Sequence, residues 1–287
     1  MAAKEYSPRC LRLTEHVISM NPAHYTVWLY RFSIITALDL PIPSEIAWVN
    51  EVALQHLKNY QIWHHRHQLV DHYFPQISGS PDKVADLARS ETEFLHVMLA
   101  EDTKNYHVWS YRQYLVRKLD NFTPRELAST ESFIDDDVRN NSAWSHRFFL
   151  VFSDPKTTTP GSHSTERDPA VPAEIIDREI GYAQAKTALA PQNQSPWNYL
   201  KGVLVKGGRA LASVEPFVEE FVTDLGDAKE EVRSSHALDL LAEIYAEKGD
   251  TEKADLCLRQ LAGKWDRIRE GYWEWRRRLL VQGETKE

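Results

Sequence analysis

One eight-residue pattern, Asn-Tyr-x-x-Trp-x-x-Arg, recurs along the first two thirds of the chain. It stands as Asn59-Tyr60-Gln61-Ile62-Trp63-His64-His65-Arg66 and again as Asn105-Tyr106-His107-Val108-Trp109-Ser110-Tyr111-Arg112. Looser copies run His24-Tyr25-Thr26-Val27-Trp28-Leu29-Tyr30-Arg31 and Asn140-Asn141-Ser142-Ala143-Trp144-Ser145-His146-Arg147. A degenerate fifth, Asn193-Gln194-Ser195-Pro196-Trp197, has Leu200 in place of the arginine. The tryptophans return at intervals of about 35 to 55 positions, the spacing of a solenoid whose units cannot bury their own apolar faces and must stack. A single helical-repeat domain over residues 1–287 follows, with units centred on Trp28, Trp63, Trp109, Trp144 and Trp197.

Each unit reads as a helical hairpin, with the motif opening its second helix. Asn at the N-cap accepts an orphan backbone N–H. Counted from Asn59, Tyr60, Trp63 and Arg66 lie three apart and share a face. The tryptophan is the large wedge between hairpins. An arginine at that height is too costly to bury alone and requires an acidic partner on an adjacent helix, with Glu101, Asp102 or Asp135 to Asp137 as candidates.

The first helices are legible too. Ser7-Pro8 opens one through about Ser19, carrying Leu11, Val17 and Ile18, and Asn21-Pro22 ends it. A second spans about 44–58 with Ile46, Val49, Ala53 and Leu57 on a stripe. Thr123-Pro124-Arg125-Glu126 is a capping box ahead of Leu127, Phe133 and Ile134. No segment alternates with the two-residue period of a strand. Residues 75–81 predict a short turn-rich connection, and the Thr/Ser/Pro-rich stretch 154–172 a mobile surface loop. A fifth hairpin to about Lys206 is followed by helices near 214–225, 232–248 and 251–281, which serve as the terminal cap such an array needs. Trp265, Tyr272, Trp273 and Trp275 fall in the last of these.

Composition narrows the function. The net charge of −8 leaves no basic footprint for nucleic acid. No run approaches about 18 apolar residues, and Met1-Ala2-Ala3-Lys4-Glu5 leads into no signal core, so the chain reads as cytoplasmic, without a transmembrane segment. Cys10 and Cys257 are far apart and read as buried, inert thiols. There is no Gly-rich phosphate loop, paired-Cys metal site or Gly-x-Ser-x-Gly elbow. His64-His65-x-His67 invites a metal, yet these positions on one helix do not converge, and packing or a polar surface role is the better reading. No metal site is assigned to this chain.

The variable positions at the helix starts carry more chemistry. A helix N-terminus presents unpaired N–H groups and the positive end of the dipole. Lys58, Tyr60 and Gln61 in one unit, with Tyr106 and His107 in the next, form an anion cradle suited to a phosphate or carboxylate. On geometry alone the same residues also read as ordinary caps and interface positions.

The stretches Lys58–Arg66, Lys104–Trp109, Arg139–Trp144 and Ser195–Gly202 resemble the alpha-subunit repeats of protein prenyltransferases, in the form of the subunit shared by the farnesyl and type I geranylgeranyl enzymes. The likeness covers about Pro8 to Lys206. It implies a right-handed superhelical crescent of antiparallel helical hairpins, tetratricopeptide-like, wrapped around a beta subunit in a heterodimer. It implies transfer of an isoprenoid from its diphosphate to a cysteine thiolate near the C-terminus of CaaX-motif proteins, such as Ras/Rho-type GTPases. Zinc would be bound by the beta subunit, with magnesium a possible companion of the diphosphate. Carried over position by position, Lys58 contacts the diphosphate, and His107 with Tyr106 engages its phosphates as the isoprenoid swings toward the thiol. Gln61 hydrogen-bonds the substrate's terminal carboxylate, and Tyr60 is a neighbouring wall residue. His24 and Leu200 depart from the motif, marking their units as packing elements. The family usually has a Pro-rich extension and another helical unit before the first copy, whereas this chain starts almost directly at Ser7-Pro8. The alternative is a non-catalytic repeat scaffold for partner proteins, which leaves the clustering of Lys, Tyr-Gln and Tyr-His at two helix starts unexplained.

Overall fold

The computed structural model describes residues 5–281; residues 1–4 and 282–287, including the start read above for a signal core, lie outside them. The chain divides into two compact units, Met1–Glu126 and Leu127–Glu287. Helices follow one another in pairs: α1 (Pro8–Met20) and α2 (Tyr25–Ala37), α3 (Ile42–Gln55) and α4 (Tyr60–Ile77), α5 (Pro81–Glu101) and α6 (Tyr106–Lys118). Then come α7 (Pro124–Asp136) and α8 (Asn141–Phe152), and α9 (Ala173–Leu189) and α10 (Gln194–Gly207).

The caps form where the motif puts them. Asn59 Oδ1 accepts from the amides of Gln61 at 2.8 Å and Ile62 at 3.3 Å, and Asn105 Oδ1 from those of His107 and Val108 at 3.0 and 3.5 Å. Asn140 and Asn193 cap α8 and α10, whereas His24 makes no side-chain cap and its ring instead meets the Thr26 hydroxyl. Ser7 caps α1, and Thr123 accepts from the Glu126 amide at 3.2 Å.

All five motif tryptophans are buried, and four of the rings meet an aromatic ring of another helix or segment. Trp28 lies 5.1 Å from the His65 ring, Trp63 5.4 Å from Tyr111, Trp144 5.1 Å from Tyr199 and Trp197 5.4 Å from Phe221. Most indoles also donate to the carbonyl six residues upstream: Trp28 to Pro22, Trp144 to Val138 and Trp197 to Pro191, at 2.8 to 2.9 Å. The side chain thus anchors its own hairpin turn while wedging against another helix. Tyr60 does not share this environment, for it is 63% exposed at the helix start.

The motif arginines are buried and paired, but with other acids than the candidates named from sequence. Arg31 forks onto Glu45 at 2.7 Å, Arg66 meets Glu91 at 2.7 Å, Arg112 meets Glu126 at 2.6 Å and Arg147 meets Glu179 at 2.8 Å. Every partner belongs to the next first helix. The arginine sits roughly 10 Å down its helix at about 1.5 Å per residue, beyond the reach of acids clustered at the opening turn. Those acids have other roles: Asp102 faces Lys58, Asp135 faces Lys186, and Asp137 accepts from the Arg139 amide.

Several further expectations are corrected. Pro75 lies inside the last turn of α4, so the connection shrinks to residues 78–80. The helix placed near 44–58 runs over Ile42–Gln55 instead; Ile46, Val49 and Ala53 are buried, but Leu57 lies beyond its end. In place of a helix over 214–225 there is one short helix, α11 (Glu215–Glu219), after a 3-10 turn. A two-residue antiparallel pairing then joins β1 (Val222–Thr223) to β2 (Glu231–Val232), too short for any periodicity to show. The C-terminal segment is α12 (Ser235–Glu247), α13 (Thr251–Gln260), a wide turn over 261–265 and α14 (Glu270–Val281). Residues 154–172 are mostly exposed, yet Asp168 within them is buried and accepts from the hydroxyl and amide of Thr159 at 2.7 and 2.9 Å. The fully buried Lys206 ammonium reaches back to Ser162 at 2.6 Å and lies 3.8 Å from Asp168.

Candidate active site

Helices α4 and α6 start beside one another, and the five residues singled out from sequence lie at or next to those starts. Lys58 Nζ is 3.2 Å from Asp102 Oδ2, with its side chain 81% exposed. The Tyr60 ring meets the His107 ring edge to face at 6.0 Å, and Tyr106 lies 5.7 Å from the same imidazole. Gln61 and His107 are half-buried, while Tyr106 is as open as Tyr60. Lys58 and His107 are therefore near neighbours within one compact unit, and neither is sealed inside it. An ammonium, an imidazole, two phenols and two helix N-termini around an accessible edge can receive a polyanion and neutralise charge that develops on it.

Asp102, an acid that suits a motif arginine by sequence, instead contributes its carboxylate to this edge. It is held by its own backbone, with Oδ1 accepting from the Lys104 amide at 3.2 Å. An exposed pair of this kind is weak and readily exchanged for a better anion. The histidines of 64–67 point to separate surroundings. His65 is fully buried with Nε2 2.9 Å from Glu45, the His67 ring lies tilted against Tyr114 at 4.2 Å, and His64 is exposed. Both cysteines are free and buried, and burial pushes the Cys257 thiol up to about 12.

Two supporting positions escaped the sequence reading. The residue two past the tryptophan reaches the acid that already holds the arginine of an earlier motif helix. His65 meets Glu45, Tyr111 donates to Glu91 at 2.8 Å, and Tyr199 donates to Glu179 at 2.6 Å. Three residues after each of these acids comes an aromatic ring under the guanidinium: Trp48 at 3.6 Å from Arg31, Phe94 at 4.0 Å from Arg66 and Tyr182 at 3.6 Å from Arg147. A Glu-x-x-aromatic signature on the first helices was available as a signal. Burial alone would raise the Glu45 and Glu179 carboxyls, but hydrogen bonds and the arginine charges outweigh it and hold both below the ordinary carboxylate range.

The protein prenyltransferase alpha subunit repeat matches residues 8–38, 42–73, 88–119 and 123–154. The farnesyltransferase/geranylgeranyltransferase type-1 subunit alpha of Candida albicans is 38% identical over 277 residues, covering 96% of this chain and 84% of that one. The chain belongs to the protein prenyltransferase alpha-subunit family. The subunit of the same name from Dictyostelium discoideum is 32% identical over 286 residues, or 96% of this chain and 80% of its own length. Candida albicans protein geranylgeranyltransferase-I complexed with GGPP superposes with a TM-score of 0.86 at 36% identity, over 98% of this chain and 86% of that one. Within the family, the chain sides with the farnesyltransferase/geranylgeranyltransferase type-1 alpha subunits. Among the described residues, no helix is long and apolar enough to cross a membrane.

Proposed function

We propose that the chain is the alpha subunit of a heterodimeric CaaX protein prenyltransferase, working in the cytoplasm with a beta subunit that supplies the rest of the pocket. The reaction breaks the bond between C1 of the isoprenoid and its diphosphate and forms a thioether to the cysteine sulfur, so negative charge accumulates on the departing diphosphate. Lys58 and His107, with Tyr106 beside the imidazole, neutralise that charge; Gln61 hydrogen-bonds the terminal carboxylate of the protein substrate, and Tyr60 forms the wall between them. The supporting observation is the meeting of the two helix starts through the Tyr60–His107 and Lys58–Asp102 contacts.

Zinc, which would activate the thiolate, is assigned to the beta subunit, with magnesium as an optional partner of the diphosphate. Among the described residues, no three or more His, Cys, Asp or Glu side chains are grouped so as to hold a metal ion, and the histidines of α4 point to separate surroundings. The isoprenoid could be farnesyl or geranylgeranyl, and substrates would be CaaX proteins such as Ras/Rho-type GTPases.

The decisive experiment is coexpression with the cognate beta subunit, followed by zinc-dependent prenyl transfer to CaaX peptides carrying different terminal residues. Transfer by the heterodimer and none by the isolated chain is the expected result. A stable heterodimer inactive on every such peptide, with either isoprenoid diphosphate, would instead leave a binding scaffold.

A further inference from the structure

The side chain of Asn105 does two things at once. Its carbonyl oxygen caps α6, and its amide donates to the Leu57 carbonyl at 2.9 Å, a contact 48 residues back in sequence. Leu57 immediately precedes Lys58, and His107 follows Asn105 by two. One buried amide therefore joins the backbone that carries the ammonium to the helix turn that carries the imidazole. The surrounding loop reinforces it: the backbone N–H of Asn105 donates to the Asp102 carbonyl at 3.1 Å, and the Asp102 carboxylate faces Lys58. Asn105 itself is 4% exposed, so it touches no substrate from this position.

We infer that Asn105 is a positioning residue for the transfer reaction, holding Lys58 at its working distance from His107; this rests on the assignment of those two residues to the diphosphate. Lys58 lies outside the helix, on the turn between α3 and α4 that the Asn59 N–H closes onto the His56 carbonyl at 3.0 Å, and the Asn105 side chain ties that turn to the start of α6. A displacement on the order of 1 Å at a charge-stabilising group costs up to about a hundredfold in rate. The chain also contains a natural control. Asn193 caps α10 and donates to the Val138 carbonyl at 2.7 Å, the same tie in the other compact unit, where no residue is assigned to the site.

The test uses the purified heterodimer with Asn105→Ser, Asn193→Ser, Lys58→Ala and the Asn105→Ser/Lys58→Ala double variant. Serine caps about as well as asparagine but is too short to reach across to the carbonyl. Asn105→Ser should lower kcat about tenfold with KM for the isoprenoid diphosphate within about twofold, and add less than about twofold in the Lys58→Ala background. Asn193→Ser should match it in thermal midpoint and keep parental kcat. Equal kcat for Asn105→Ser and Asn193→Ser, with Lys58→Ala slow, overturns the inference while the site assignment stands. Parental kcat for Lys58→Ala overturns the assignment and the inference together.

Discussion

The hydroxyl of Tyr111 donates at 2.8 Å to Glu91, whose other carboxylate oxygen holds Arg66 at 2.7 Å. Three side chains from α4, α5 and α6 thus share one buried charge. The Tyr111 hydroxyl is raised well above its ordinary value, first by burial and then by the neighbouring carboxylate, so it stays a donor. Removing one member should not cost the same as removing another. Glu91→Ala strands a fully buried guanidinium and should destabilise by about 3–5 kcal/mol. Tyr111→Phe leaves the ion pair and should cost about 1 kcal/mol. Urea denaturation of the two variants measures the ratio, and near-equal losses would contradict the shared-charge arrangement.

Lys58→Ala and Gln61→Ala should separate kinetically in the heterodimer. Loss of a charge-assisted contact to the leaving diphosphate should lower kcat by about 10- to 100-fold with little change in KM. Loss of a neutral amide contact to the peptide carboxylate should raise the peptide KM by about fivefold and spare kcat. Steady-state assays at saturating isoprenoid diphosphate provide both readings.

The fifth unit tests why its arginine is missing. Leu200 is fully buried, and the helices that follow it, α11 and α12, carry no buried carboxylate that could take the role Glu179 plays for Arg147. Leu200→Arg should therefore bury a charge without a free carboxylate and destabilise by about 3 kcal/mol or more. A denaturation midpoint equal to the parent's would contradict it.

Acid should weaken the fold in two steps. Burial lowers the His65 value, with Glu45 offsetting only part of the effect, so the ring is neutral when folded and protonated when unfolded below its ordinary value of 6.5. The unfolded chain then binds the extra proton, and stability declines as pH falls from about 6.5. Glu45 and Glu179 are depressed, so their contribution is complete above about pH 4.3 and is lost as pH falls through their folded values. Urea midpoints from about pH 7.5 down to about pH 2.5 should show both steps, and His65→Gln should shrink the first, to which the burial-lowered His96 and His236 also contribute.

Asp168→Ala should release the turn around Thr159 and leave the buried Lys206 ammonium without its carboxylate. Limited proteolysis should then cut within 154–172 several times faster than in the parent, an effect that Glu166→Ala, on the exposed rim, should not reproduce.

What sequence alone determined was local and periodic. Asparagine caps, buried tryptophans and buried arginines are set by a few adjacent residues and the helical repeat, and each appears where the motif puts it. The proposed cradle residues sit one or two positions from a cap, so the same local rule places them at the helix starts. Tertiary structure decided the partners: Glu45, Glu91, Glu126 and Glu179 for the arginines, Tyr111 and Tyr199 for two of those acids, and Leu57 for Asn105. A buried polar group takes whichever complement lies at its own height on the neighbouring helix. That height depends on how far packed helices slide and rotate against each other, which no single stretch of chain encodes.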